Sequence, residues 1–292
     1  FYIKKTDLNF ALELIKFEHE ETEFKNFNGN EVVKIILDLP VEVPKLRKKF
    51  EENQIECYEA DIRFAYRFMF DKGIQGSLDI NGDFTGGDRV DRIYKEPEIK
   101  SSHDYRPNNL KVLSFDIESG KGENDELYCI GFVCGNARKV FINSSEKIDN
   151  AISCKNEEEV IERFLKEIID LDPDVITGWN VIVFDLEYLN NKCRKYKIDF
   201  SFGREPGKCK LNIEESFFKE SKADIPGRQV LDAMHLLRVS FIKVDDYRLD
   251  TVAKKILGDT KLITSTGIEK YKEIDNLWKT NIKAGATYFK QF

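Results

Sequence analysis

No apolar run in this sequence approaches the roughly 20 residues that a membrane span needs, and its start, Phe-Tyr-Ile-Lys-Lys, has no signal-peptide organisation. A soluble, intracellular protein of cytoplasmic type is expected. Histidine is scarce, at three residues, and the six cysteines, at positions 57, 129, 134, 154, 193 and 209, include no Cys-x-x-Cys pair. A zinc framework is thereby excluded, and the cysteines read as reduced thiols, with Cys129 and Cys134 packed in an apolar strand. Basic residues are outnumbered, 46 Lys and Arg against 53 Asp and Glu, for a net charge of -7. That excludes a general nucleic-acid coat protein, whose affinity comes mainly from phosphate neutralisation. It leaves room for a nuclease, because clustered carboxylates bind divalent cations that then face the scissile phosphate. Internal repeats and long low-complexity tracts are absent as well.

What is present is enough for real cores: 41% of 292 residues are hydrophobic, which suits two moderate domains. A polar stretch with two prolines, 95–109, marks the break. We therefore expect an amino-terminal domain over 1–107 and a second domain over 108–292. The lack of an initiating Met and the end at Gln291-Phe292 predict a fragment of a longer protein.

The second domain reads as strands over 111–117, 127–134 and 138–142 and a helix over 156–170 with Glu157, Glu158 and Glu159 in its dipole-favoured first turn. Next come a strand over 174–177, a helix over 183–196, an irregular insertion to about Pro226, a strand over 229–231 and helices around Met234 and Thr251. Three successive strands followed by alternating helices and strands predict an α/β domain with a mixed sheet covered on both faces. The first domain alternates strand-like 32–37, helix-like 43–53, strand-like 55–58 and helix-like 62–72 after short apolar strands from Phe1, an α+β pattern.

The chemistry lies first in Leu113-Ser-Phe-Asp-Ile-Glu-Ser-Gly120. Alternate side chains of a strand share a face, so Asp116 and Glu118 can converge on one cation. An acidic pair at a strand end is ordinarily a solvated edge, so a second element is required. It follows in Asp172-Pro-Asp-Val-Ile-Thr-Gly-Trp-Asn180 and Val-Ile-Val-Phe-Asp185, which place Asn180 in a strand-to-helix turn and Asp185 near the helix start. Separately, Asn180 is an ordinary turn former, Asp185 a first-turn charge and Phe184 a core-packing residue. The lysines of 192–197 read as a solvated helix face that could also touch a nucleic-acid backbone.

Together these segments resemble the first two exonuclease motifs of the family B DNA polymerases, Asp-Ile-Glu and Asn-x-x-x-Phe-Asp. The likeness extends to the Asp172–Asn180 lead-in, to Gly227-Arg-Gln-Val-Leu-Asp232, and to Tyr247-Arg-Leu-Asp-Thr-Val-Ala253 with Leu257, Gly258 and Lys261. Upstream, Tyr58-Glu-Ala-Asp-Ile-Arg-Phe-Ala65 and Arg67-Phe-Met-Phe-Asp-Lys-Gly73 resemble the end of the amino-terminal domain in archaeal-type members. The resemblance implies a ribonuclease-H-like exonuclease domain preceded by a smaller ferredoxin-like domain, which in many archaeal relatives reads uracil in the template. It implies proofreading by 3′→5′ hydrolysis of the terminal phosphodiester, with two Mg²⁺ or Mn²⁺ ions held by Asp116, which bridges them, and by Glu118 and Asp185. Asn180 would position the terminal nucleotide. The implied partners are DNA (a primer 3′ end and single-stranded template), the polymerase domain of the same full-length chain and a sliding clamp, with a monomer as the expected state and no membrane.

The family's third motif is Tyr-x-x-x-Asp, and in Tyr288-Phe-Lys-Gln-Phe292 the tyrosine is present but Phe292 stands at the carboxylate position. Either the Asp is lost or the chain stops before the true motif, and both readings predict slow digestion of single-stranded DNA by this chain. Two alternatives stand beside the polymerase fragment: a free-standing exonuclease, and a module that binds single-stranded nucleic acid or a replication protein through a degenerate, non-cleaving site.

Overall fold

The structure is a computed structural model that describes residues 1–102, 109–120, 125–214 and 220–258. Two compact units are formed, Phe1–Thr85 with Tyr94–Arg106, and Gly86–Ile93 with Pro107–Phe292.

In the first unit, β1 (Tyr2–Lys4), α1 (Leu8–Leu14), β2 (Glu18–Lys25), β3 (Glu31–Ile36), α2 (Val43–Glu52) and β4 (Cys57–Tyr58) follow one another along the chain. The sheet order is β2-β3-β1-β4 and its pairs are antiparallel. A βαββαβ chain in that order is the ferredoxin-like fold, as the sequence resemblance implied. Its core joins Ile3, Val33 and Ile35 of the sheet to Leu46 and Phe50, four apart on α2 and hence on one helix face. Two elements differ from the sequence reading. Residues 8–14 are helical, and β2, with Glu18, Glu20, Glu21 and Glu23, is an exposed acidic strand at the sheet edge, where unpaired backbone is protected by charge. Beyond it come α3 (Phe64–Asp71), β5 (Leu78–Asn81), β6 (Phe84–Thr85), β7 (Ile93–Tyr94) and β8 (Glu98–Ser101), with β5 and β8 paired antiparallel.

The second unit carries a six-stranded mixed sheet. It is built from β9 (Val112–Ser119), β10 (Leu127–Cys134), β11 (Ala137–Asn143), β12 (Ile152–Cys154), β13 (Val175–Gly178) and β16 (Gln229–Asp232), in the order β12-β11-β10-β9-β13-β16. β9, β10 and β11 are antiparallel neighbours, whereas β13 runs parallel to both β9 and β16. The irregular insertion contains a small antiparallel ribbon, β14 (Lys210–Asn212) with β15 (Lys222–Asp224). Among the described residues the unit also has helices α4 (Glu157–Leu171), α5 (Glu187–Tyr196), α6 (Ala233–Val239) and α7 (Leu249–Leu257), and a π-helical turn, Ile182–Leu186, leads into α5.

α4 shows how local chemistry sets an element. The Asn156 side chain accepts the Glu159 N–H at 2.9 Å and caps its start, and Asp172, in the left-handed region at φ 49°, ends it before Pro173. Between them Val160, Ile161, Phe164, Leu165 and Ile168 form one buried face. Phe164 lies with its ring centroid 4.9 Å from that of Phe115 and 5.8 Å from that of Phe132, so α4 covers the Leu113/Phe115/Ile117 face of β9. Cys134 is buried in this core as expected, whereas Cys129, also buried, lies across from Glu118 on the other face of the sheet.

The first turn of α4 does more than favour the dipole. Glu157 is buried and accepts the Leu127 N–H at 3.0 Å and the Lys192 Nζ at 2.9 Å, with Lys195 and the Tyr196 hydroxyl also on its carboxylate. Lys192, expected on a solvated face, is 3% exposed and also donates to the Asp125 carbonyl, because α5 turns that residue toward α4 and the start of β10. The Asp172-Pro-Asp and Gly-Arg segments are structural too. Arg204 and the buried Arg228 both bond Asp172 Oδ1 at 2.8 Å, and Arg204 reaches Asp174 Oδ1 at 2.8 Å, which fastens the insertion to the entry of β13. Among the described residues no helix is long and apolar enough to cross a membrane.

Candidate active site

The carboxyl ends of three parallel strands, β9, β13 and β16, meet at one edge of this sheet. The register pairs Thr177 with Ser114 and Gly178 with Asp232, so the residues just past these positions converge. In open α/β sheets such carboxyl ends, where strand order reverses, are where ligands bind.

Asp116 and Glu118 project from one face of β9, opposite to Phe115 and Ile117. Across the antiparallel ladder Gly131 faces Asp116 and Cys129 faces Glu118. The glycine puts no side chain beside Asp116. Burial pushes the Cys129 thiol well above its ordinary value, and the Glu118 and Asp116 carboxylates add to the effect, so it stays a neutral SH rather than a thiolate ligand.

Asp185 reaches the same place from the π turn. Its amide framework is irregular: the Leu186 N–H bonds the Val181 carbonyl at 2.8 Å, five residues back. Such insertions re-aim side chains and are frequent at functional sites. Here Asp185 is fully buried, and its Oδ1 accepts the Ile117 N–H at 3.0 Å, which places the carboxyl against β9 between the Asp116 and Glu118 positions. Oδ2 is buried without a hydrogen-bond donor. Burial, and after it the negative charge of Asp116, raise the Asp185 pKa well above the ordinary carboxyl value.

Asn180 is brought to this edge by a constrained turn. Gly178 ends β13 where an added Cβ would lie 2.6 Å from the Phe115 carbonyl oxygen, so no other residue allows the two strands this approach. Asn180 itself is left-handed at φ 58°, a conformation asparagine tolerates. Phe184, expected in the core, is instead 41% exposed, since the π turn rotates Asp185 inward and its predecessor out. A cleft of about 250 Å³ opens beside Asp116, lined by Ser114, Gly131, Val133, Thr177 and Trp179 among others.

The structure thus brings Asp116 and Asp185 together, with Glu118 next on the same strand face and Asn180 at the adjoining strand end. Among the described residues no group of three or more His, Cys, Asp or Glu side chains is gathered closely enough to hold a metal by itself. The donor set nonetheless fits a hard divalent cation: oxygen donors only, one of them buried and unsatisfied, and two carboxyls whose mutual repulsion a cation would relieve. Tyr288 and Phe292, the candidate third-motif positions, lie outside the described residues.

The model of the family B DNA polymerase exonuclease domain matches residues 55–252. The chain belongs to that family. DNA polymerase II of Escherichia coli K12 is 30% identical over 273 residues, covering 90% of this chain and 33% of that protein. The DNA polymerase of Thermococcus litoralis is 30% identical over 268 residues, 88% of this chain and 14% of the relative. The chain therefore spans a third or less of the length of these relatives. In fold it matches the family B DNA polymerase of Pyrobaculum calidifontis with a TM-score of 0.75 at 21% identity, over all of this chain and 38% of that one. Bacterial and archaeal members of the family are thus both related to this sequence.

One residue that the motif reading left without a role is Asp232, which ends β16 and bonds the Asn180 turn. An Asp directly before the apolar run Ala-Met-His-Leu-Leu is a readable helix cap. Its second attachment, 52 residues away in sequence, is not.

Proposed function

We propose that this chain is the amino-terminal and proofreading-exonuclease portion of a DNA polymerase, and that Asp116, Glu118 and Asp185 hold Mg²⁺ or Mn²⁺ at the carboxyl end of β9. The observation that carries the reading is the Asp185 carboxyl, buried beside the charge of Asp116 and with its Oδ2 left without a hydrogen-bond partner. Two carboxyls are kept together at a cost that a cation would offset. The bound cations would supply Lewis-acid activation of water and stabilisation of the leaving 3′-oxygen.

The chain's own residues have separable tasks. Asp116 and Glu118 present oxygens on one strand face, and Asp185, anchored through Ile117 N–H, fixes the opposite side of the cation position. Asn180 directs its amide toward the 3′-terminal nucleotide. Gly131, opposite Asp116, leaves space for that nucleotide. DNA is the partner this reading requires; a polymerase domain of the same full-length chain and a sliding clamp are further partners it implies.

Calorimetric titration with Mn²⁺ tests the site. Binding by the wild-type chain and its loss in Asp116→Ala are expected. Equal heats from the two proteins would remove the cation role from Asp116 and leave the non-cleaving binding module as the better reading.

A further inference from the structure

Asp232 is buried, and its carboxylate serves two elements at once. Toward its own helix, Oδ1 accepts the Met234 N–H at 3.0 Å and the His235 N–H at 3.4 Å, which caps α6. Toward the turn after β13, Oδ1 accepts the Asn180 N–H at 3.2 Å and Oδ2 the Ile182 N–H at 3.3 Å. The second pair is the informative one. Amides at the start of a helix have no intrahelical acceptor, and those of Asn180 and Ile182 lie in the segment that turns through φ 58° and opens the π turn carrying Asp185. A residue from another strand thus supplies the acceptors this turn cannot supply itself. Capping α6 alone would need only one oxygen, which a serine provides. The turn needs the reach of an aspartate, which brings the capping Oδ1 to the Asn180 N–H as well, and its second oxygen, which takes the Ile182 N–H.

We infer that Asp232 is a positioning residue of the proposed nuclease, which holds the Asn180 turn in its left-handed form and so aims the Asn180 side chain at the terminal nucleotide. The inference rests on the proposed function. Four backbone N–H groups already engage the carboxylate, so its part is to hold other groups in place. Asp185 has an anchor of its own in the Ile117 N–H, so cation binding is expected to survive loss of the clamp while nucleotide binding is not.

Asp232→Ser separates the two tasks by length as well as by oxygen count: the shorter hydroxyl can still cap α6, but it no longer extends to the Asn180 N–H that Oδ1 accepts and it lacks the Oδ2 that accepts the Ile182 N–H. The probes are Mn²⁺ alone and thymidine 5′-monophosphate in the presence of Mn²⁺, titrated into the full chain. Asp232→Ser is expected to weaken the nucleotide by about tenfold, the size of one good hydrogen bond, as Asn180→Ala does. The double variant should be no weaker than either single one, and Mn²⁺ affinity should stay within about twofold. Asp232→Asn, which keeps the size and one accepting oxygen, should fall between wild type and Asp232→Ser, and it carries the same cycle if the serine variant does not fold. Wild-type nucleotide affinity in Asp232→Ser, or losses that add in the double variant, would overturn the inference while leaving the proposed function intact. If Asn180→Ala and Asp116→Ala both bind the nucleotide as wild type does, the proposed function falls and the inference falls with it.

Discussion

Asp185 is placed where its own charge is opposed, first by burial and then by Asp116. Its folded pKa lies above the ordinary 3.8, so between those values the native state holds a proton that the unfolded state has released, and stability falls as pH rises through that window. In chelator, Asp185→Asn is therefore expected to melt above wild type at pH 7, and the advantage should shrink as the pH is lowered toward 3.8. Added Mn²⁺ should raise the melting temperature of wild type and not that of the variant. Thermal melts with and without chelator check both. A variant less stable than wild type at pH 7 in chelator would mean that the carboxyl pair is not strained.

At the scale of elements, the site depends on how closely strands and helices approach. Gly178→Ala puts a methyl 2.6 Å from the Phe115 carbonyl, and backbone cannot yield as a flexible side chain can. The expected loss is about 1–3 kcal/mol, as for other overpacked positions, measured by urea unfolding. The join of α5 to α4 rests on Lys192 and Glu157. Burial raises the Glu157 pKa, but the Leu127 amide and Lys192 outweigh it and hold the carboxyl below its ordinary 4.5. That stabilisation is present above pH 4.5 and is lost as pH falls through the folded value. Lys192→Met should cost about 3 kcal/mol at pH 7, since it leaves a buried carboxylate short of a cation, and the acid limb of its stability curve should be shallower. Parallel denaturation curves at pH 7 and below pH 4 read both effects.

At the scale of the whole molecule, a net charge of -7 has to be reconciled with the proposed DNA substrate. Cations held by the carboxylates would provide the positive charge locally, so few surface lysines need be neutralised by phosphates. Binding of a short single-stranded oligothymidylate in Mn²⁺ is expected to fall only shallowly with added KCl, with a log–log slope of about -1 to -2, and to vanish in chelator. A steep slope that persists in chelator would instead mark a basic binding surface. Fluorescence anisotropy across a salt series distinguishes the two.

Strand and helix identity in the second unit could be read from residue order because periodicity is local. The apolar alternation of Leu113, Phe115 and Ile117 and the four-residue spacing of Val160, Phe164 and Ile168 each arise within one element. The same local rule put Asp116 and Glu118 on one strand face and Asn180 in a turn. It misplaced Lys192 and Phe184, because the side of a helix that is buried depends on what packs against it and because a π turn shifts helical phase by one residue. It also read no acceptor role for Asp232 and no place for Gly131, both of which follow from strand register across long sequence separations. Sequence by itself thus determined which residue types and which elements could form a carboxylate site. Only the tertiary structure decided that Asp185 is buried against Asp116 and that a strand end 52 residues away grips the Asn180 turn, since strand pairing and close packing join distant residues through space.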